Sequence, residues 1–159
     1  MKRSVWFAVF LALAVVAIAF AQAKPNFSGT WTPQAPAAGA PPAGGGGRGG
    51  GMMGPMTVTQ TDKTLTVERT MGENTIKQVY NLDGTETKNE MPGRGGTTVQ
   101  TSTCKWDGNK LLITTKYEGA QGPVERTQTW SLTAEGNLQI EQPMGQSGNV
   151  RTTVYTKGK

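Results

Sequence analysis

The chain has 159 residues, with 16 Lys and Arg, 11 Asp and Glu, no His and one Cys. Without His, neither a Ser-His-Asp nor a Cys-His catalytic arrangement can form, and a zinc site of Cys and His ligands is excluded. One Cys cannot form an intrachain disulfide. The excess of basic residues is small, so a nucleic-acid partner is not expected.

The first 23 residues have the order of a secretory signal peptide. Lys2 and Arg3 precede an apolar run over residues 5–20, and Ala21-Gln22-Ala23 supplies the small residues of a cleavage site. We predict cleavage after Ala23, which leaves a soluble chain beginning at Lys24, with a net charge of about +3, in the periplasm or outside the cell. An uncleaved membrane anchor is the alternative, because the apolar run approaches spanning length.

A short strand-like segment, NFSGTW, follows the signal peptide. We assign residues 24–32 to the segment that contains the first strand of the domain. Residues 33–56 are rich in Pro, Ala, Gly and Met and bury too little apolar surface to offset their ordering entropy, so they are predicted to be a flexible loop. The loop contains G-x-G-x-x-G, a pattern found in dinucleotide-binding sites. No strand leads directly into it and no helix follows, so dinucleotide binding is not expected. The GRGG sequences around Arg48 and Arg94 are too isolated for RNA binding.

From residue 57 onward, Thr is abundant and apolar residues alternate with polar ones, as is typical of β-strands. Turn sequences such as Asp83-Gly84 and Asp107-Gly108-Asn109 favour hairpins between these segments. The predicted strands are 27–32, 57–60, 64–69, 75–82, 98–106, 111–117, 124–133, 138–142 and 150–156. The pattern predicts an all-β domain, either an antiparallel up-and-down barrel of about eight strands or a sandwich, and the mostly short connections favour the barrel.

The G-x-W pattern at Gly29 and Trp31 resembles the start of the first strand in lipocalin-like and other calycin barrels. In that family the Trp closes the barrel floor and a large loop follows the strand. The resemblance implies a floor formed by Gly29, Trp31 and an inward-pointing Arg. Arg126, which shares a predicted face with Trp130, is the candidate for this Arg, and Arg151 is the alternative.

A barrel of about eight strands is either filled by its own side chains or wide enough for one ligand. We expect a non-enzymatic protein, without a cofactor, that binds a small, mostly apolar ligand. The candidate cavity residues are large side chains on the predicted inner face, namely Tyr80, Trp106, Ile113, Tyr117 and Trp130. If these residues only fill the core, the protein is instead an interaction module for another envelope protein or a glycan.

Three further features carry weaker predictions. Met52, Met53 and Met56 offer thioethers, which suit Cu(I), but the favoured interpretation is that they form the apolar fringe of a loop, and no metal site is predicted. Cys104 lies in a predicted strand and is expected to be a buried apolar residue. Most acidic residues fall in or beside predicted turns, so a catalytic carboxylate pair is not expected.

Overall fold

The computed structural model describes residues 24–34, 54–71, 74–93, 96–144 and 149–158. These ranges hold ten β-strands, and they include no helix that is long and apolar enough to cross a membrane. The strands are β1 (Gly29–Pro33), β2 (Met56–Gln60), β3 (Thr64–Met71), β4 (Asn74–Asn81), β5 (Thr87–Gly93), β6 (Gly96–Asp107), β7 (Lys110–Gly119), β8 (Gly122–Leu132), β9 (Leu138–Met144) and β10 (Asn149–Lys157).

The strands form one antiparallel sheet in the order β4-β3-β2-β1-β10-β9-β8-β7-β6-β5. All neighbours in the sheet are adjacent in sequence except β1 and β10, which pair through Trp31 and Lys157. This pairing joins the two halves of the chain, and the sheet curls into a nearly closed up-and-down barrel. The all-β barrel prediction is confirmed, with ten strands in place of about eight.

One observed strand, β5, was not predicted. Its sequence, TKNEMPG, is mostly polar and contains Pro92, so it lacks the alternation that marks the other strands. Both ends of the predicted flexible loop also move, because Pro33 ends β1 and Met56 begins β2, whereas both were assigned to that loop. The rest of that loop, residues 35–53, and the predicted signal peptide over residues 1–23 lie outside the described residues.

Tight turns set the register of the hairpins. Asp107 pairs directly with Lys110 across the two-residue turn Gly108-Asn109. Gly108 has a φ of 58°, a left-handed conformation that such a turn requires and that favours glycine. The turn prediction at this position is therefore explained by backbone geometry.

A side chain, and not a backbone ladder, joins β4 to β5 in the described part of the chain. Asn89, which is buried on β5, accepts a hydrogen bond from the Val79 N–H at its Oδ1 (2.7 Å) and donates from its Nδ2 to the Val79 carbonyl (2.9 Å). These are the two groups that a neighbouring strand would pair. The Asn89 amide thus replaces one hydrogen-bonded rung of the ladder at the junction of β4 and β5, which we call the seam of the barrel.

Candidate functional site

The interior of the barrel has a closed, apolar end, which we call the base. Side chains from most strands meet there and are almost fully buried. They include Trp31, Leu65, Leu111, Trp130, Leu138 and Tyr155. Each lies on the inner face because the register places alternate residues of every strand on that face.

Phe27, which precedes β1 in sequence, closes the base. Its side chain is 0% exposed. The ring stacks on Trp106 at a centroid distance of 6.1 Å and meets Trp130 edge-on at 5.9 Å. Its carbonyl accepts a hydrogen bond of 2.8 Å from the Trp31 Nε1. Lys24 places its Nζ 5.3 Å from the Trp106 ring centroid, on the exposed side of the same cluster.

Gln60 fixes the segment that carries Phe27. Its Oε1 accepts from the Phe27 N–H at 2.9 Å, and its Nε2 donates to the Pro25 carbonyl at 3.0 Å. The Gln60 N–H in turn donates to the Ser28 Oγ at 2.9 Å. Three hydrogen bonds from one residue therefore hold residues 25–28 as a plug across the base.

Inner-face burial decreases away from the base on several strands. On β7, Leu111 and Ile113 are 0% and 1% exposed, whereas Thr115 and Tyr117 on the same face are half-buried. On β8, the order from the base is a buried Trp130, a half-buried Gln128 and an exposed Arg126; β10 shows the same trend from Tyr155 to Arg151. The described strands thus form a cup with an apolar base and a polar opposite end, which we call the mouth.

A layer of hydrogen-bonded polar side chains lies above the apolar base. Ser102 and Thr115 share a hydrogen bond of 2.9 Å between their hydroxyl groups. Gln128 accepts from the Trp130 Nε1 and donates to the Gln142 Oε1, both at 3.3 Å. Polar groups at this depth require partners, and this layer provides both donors and acceptors on the inner wall.

Arg69 extends from β3 into this interior. Its Nη1 donates to the Gln78 Oε1 at 3.4 Å and its Nη2 contacts the Met56 Sδ at 3.2 Å. The Nε is buried and has no hydrogen-bond partner among the described residues. A guanidinium normally uses its donors on carboxylates or carbonyl oxygens, so Arg69 is poorly satisfied by the protein.

Two tyrosines lie within reach of the Arg69 charge. Burial raises the pKa of Tyr80 to about 12, and Arg69 partly opposes this increase. Burial also raises the pKa of Tyr155, where Arg69 and Arg151 both act in the opposite direction. The charges of Arg69 on β3 and Arg151 on β10 therefore both favour the ionised form of Tyr155.

The five predicted cavity residues all lie on the inner face, at different depths. Trp106 and Trp130 pack with Phe27 at the base, Tyr80 and Ile113 are buried, and Tyr117 is half-buried at the mouth. The structure thus brings Trp106 and Trp130 together and separates Tyr117 from them. Whether these residues contact a ligand stays a prediction.

The floor residues differ from the prediction in one position. Gly29 and Trp31 lie at the base, but Arg126 is exposed at the mouth, where its Cζ is 5.8 Å from the Tyr117 ring centroid. Lys157 lies over Trp31 instead, with its Nζ 5.6 Å from the ring centroid. A Cβ on Gly29, which has a φ of 146°, would lie 2.6 Å from the Lys157 Cε, so glycine leaves room for this lysine.

Met56, a candidate copper ligand, is buried on the inner face with its sulfur against Arg69. Met52 and Met53 lie outside the described residues. The described part of the chain contains no cluster of three or more His, Cys, Asp or Glu suited to a metal ion. Cys104 is buried, as expected, and burial raises the pKa of its thiol to about 12.

Sequence analysis missed Phe27, Asn89 and Arg69 as site residues. Alternation along TLTVER places Arg69 on the same face as Leu65 and Val67, so the sequence did contain a signal for this residue. Phe27 was assigned to the first strand, and its position as a plug depends on contacts with β6 and β8 that are distant in sequence.

No protein-family model matches the chain, and no curated protein matches it. Solved structures do match. The chain is similar to the REP1-NXSQ fatty acid transporter, with a TM-score of 0.55 and 14% identity over 83% of this chain and 96% of that chain. It is also similar to secretory abundant heat soluble protein 4 from Ramazzottius varieornatus, with a TM-score of 0.52 and 16% identity over 83% of this chain and 94% of that chain. At these identities the likeness shows the barrel fold.

Proposed function

We propose that the protein binds a small, mostly apolar molecule inside the barrel and does so without catalysis. The observation that carries this proposal is the graded interior: an apolar base, sealed by Phe27, lies under inner-wall positions such as Thr115 and Gln128 that remain half-exposed. The fold is also that of a fatty acid transporter, which supports a binding role.

The interior offers distinct surfaces to the two ends of such a ligand. Ile113 and Ile140, which are 1% and 5% exposed, form an apolar layer just above the base, which suits the apolar end of a ligand. Gln128 pairs directly with Ile113, and Thr115 lies one step closer to the mouth on β7; both provide hydrogen-bonding groups. A molecule with an apolar body and one polar end fits this order.

Binding of N-phenyl-1-naphthylamine, a neutral apolar fluorescent probe, tests the proposal. We expect wild type to bind the probe with enhanced fluorescence, and Thr115→Phe, which places a ring in the cup, to weaken binding at least about tenfold, or about 1.4 kcal/mol. Thr114→Phe on the same strand is the matched control, because Thr114 lies on the outer face. Absence of probe binding by wild type, or equal binding by both variants, would contradict an open cup and favour an interaction module.

We further propose that the chain is exported and that the leader is removed after Ala23. The order of basic, apolar and small residues in the leader supports this proposal. The intact mass of protein recovered from a periplasmic extract or the culture medium tests it. A mass beginning at Lys24 is expected, and a mass that retains the leader would overturn it.

A further inference from the structure

All charged side chains on the inner face of the described strands are positive. Arg69, Arg126, Arg151 and Lys157 share faces with the buried residues Val67, Trp130 and Tyr155. Every described Asp and Glu lies on the outer face or in a turn, as the outward pairs Glu68–Lys77 and Glu125–Lys116 illustrate. An interior lined with one sign of charge focuses a field that favours ligands of the opposite sign.

Of these four residues, only Arg69 has a buried donor atom without a hydrogen-bond partner among the described residues. Its strand neighbours across the ladders are Met56 and Ile76, neither of which offers an oxygen from its side chain. The Nε lacks a partner within the described residues, and its two other contacts are a long bond to Gln78 and one to sulfur. Arg69 is half-buried, and a buried donor such as its Nε is costly when it has no partner, so an anion that accepts from this group would stabilise the folded protein.

Arg151 is a second cation on the inner face. It pairs with Gln142 on the inner face of β10 and β9, and it is half-buried. Its guanidinium group, like that of Arg69, provides planar, forked donors, which match the oxygens of a carboxylate, sulfate or phosphate group.

We propose that the ligand of the barrel is an anionic amphiphile whose charged head group is bound by Arg69, with Arg151 as a second positive charge on the inner face. This inference rests on the proposed function, since it names the class of molecule that occupies the cup. The apolar body of the ligand lies against the walls near Ile113 and Ile140. Arg126, exposed at the mouth beside Tyr117, adds positive charge along the entry path.

Three probes that share a hydrocarbon tail separate this inference from the proposed function. Binding of dodecanoate, dodecanol and dodecyltrimethylammonium is measured by calorimetry on the protein beginning at Lys24. We expect dodecanoate to bind at least about tenfold more tightly than dodecanol, and the cationic probe to bind most weakly. Equal binding of all three would overturn the anionic preference but retain the cup; absence of binding by any would overturn both proposals.

Variants then assign the preference to Arg69. Arg69→Gln should weaken dodecanoate binding about tenfold to a hundredfold and leave dodecanol binding unchanged, whereas Arg69→Lys, which keeps the charge, should recover part of the loss. Lys77→Gln on the outer face of β4 removes the same charge as a control and should alter neither. If Arg69→Gln does not fold, Arg69→Lys makes the test, because loss of the guanidinium fork should reduce the preference for dodecanoate over dodecanol, and an unchanged preference would overturn the assignment. A variant that weakens dodecanoate and dodecanol equally would show a structural role and overturn the assignment.

Discussion

Replacement of Asn89 by Ala should open the seam between β4 and β5. The change removes two hydrogen bonds to the Val79 backbone, at 2.7 and 2.9 Å, each with a net contribution of about 1 kcal/mol. Because Asn89 is 6% exposed, loss of its buried side chain leaves space beside Val79 and adds a smaller packing term. We expect the free energy of unfolding to fall by about 2–3 kcal/mol.

Urea unfolding followed by tryptophan fluorescence measures this loss, and hydrogen exchange of the Val79 amide locates it. Asn81→Ala is the control, because it removes one exposed side-chain bond to Thr85 and should cost within about 0.5 kcal/mol. Asn89→Asp should be at least as destabilising as Asn89→Ala, since it sets a carboxylate oxygen against the Val79 carbonyl. An unchanged midpoint together with unchanged Val79 exchange in Asn89→Ala would refute the role of the amide as a replacement rung.

Three other predictions concern buried side chains of the core. Phe27→Ala should lower the free energy of unfolding by about 3–5 kcal/mol, because it removes the ring that packs against Trp106. Lys24→Ala is the control and should change this free energy by no more than about 0.5 kcal/mol in urea titrations. Comparable losses in the two variants would contradict the role of Phe27 as a plug. Cys104 should react with a disulfide reagent far more slowly in the folded protein than in urea, because burial raises its pKa to about 12, and fast labelling of the folded protein would oppose this. Burial raises the pKa of Tyr80 from 10.0 to about 12 in the folded protein, so the unfolded chain releases this proton at lower pH. The free energy of unfolding should therefore fall by about 1.4 kcal/mol per pH unit as the pH rises from 10 toward 12. Tyr80→Phe should flatten that decrease in urea titrations, and an equally steep decrease in the variant would count against it.

The alternating pattern predicted most of the fold because one face of each strand is buried. In TLTVER or LLITT, a shift by one residue would turn the apolar set toward water, so the pattern specifies the inner face directly. β5 departs from this rule because its buried Asn89 bonds to the backbone across the seam. A polar residue that replaces a ladder bond has no apolar signature, and the strand was missed for that reason.

The base was harder to predict than the strands because alternation gives the face of a residue and not its depth. Arg126 shares the inner face with Trp130, as predicted, yet four residues of extended strand place it at the mouth, about 13 Å away. Lys157 reaches Trp31 through the pairing of β1 with β10, which depends on the register of two strands far apart in sequence. Local patterns contain no information on such a pairing.

The pairing of β1 with β10 also bears on the timing of folding. The Thr156 hydroxyl donates to the Thr32 carbonyl, 124 residues away along the chain, so the barrel cannot close until nearly all of these residues are free to meet. Contacts this distant make folding slow, since the entropy of loop closure opposes them before they form. If the chain is exported as proposed, a polypeptide still threaded through a translocation channel lacks β10 on the same side as β1, and its barrel therefore cannot close until passage is complete.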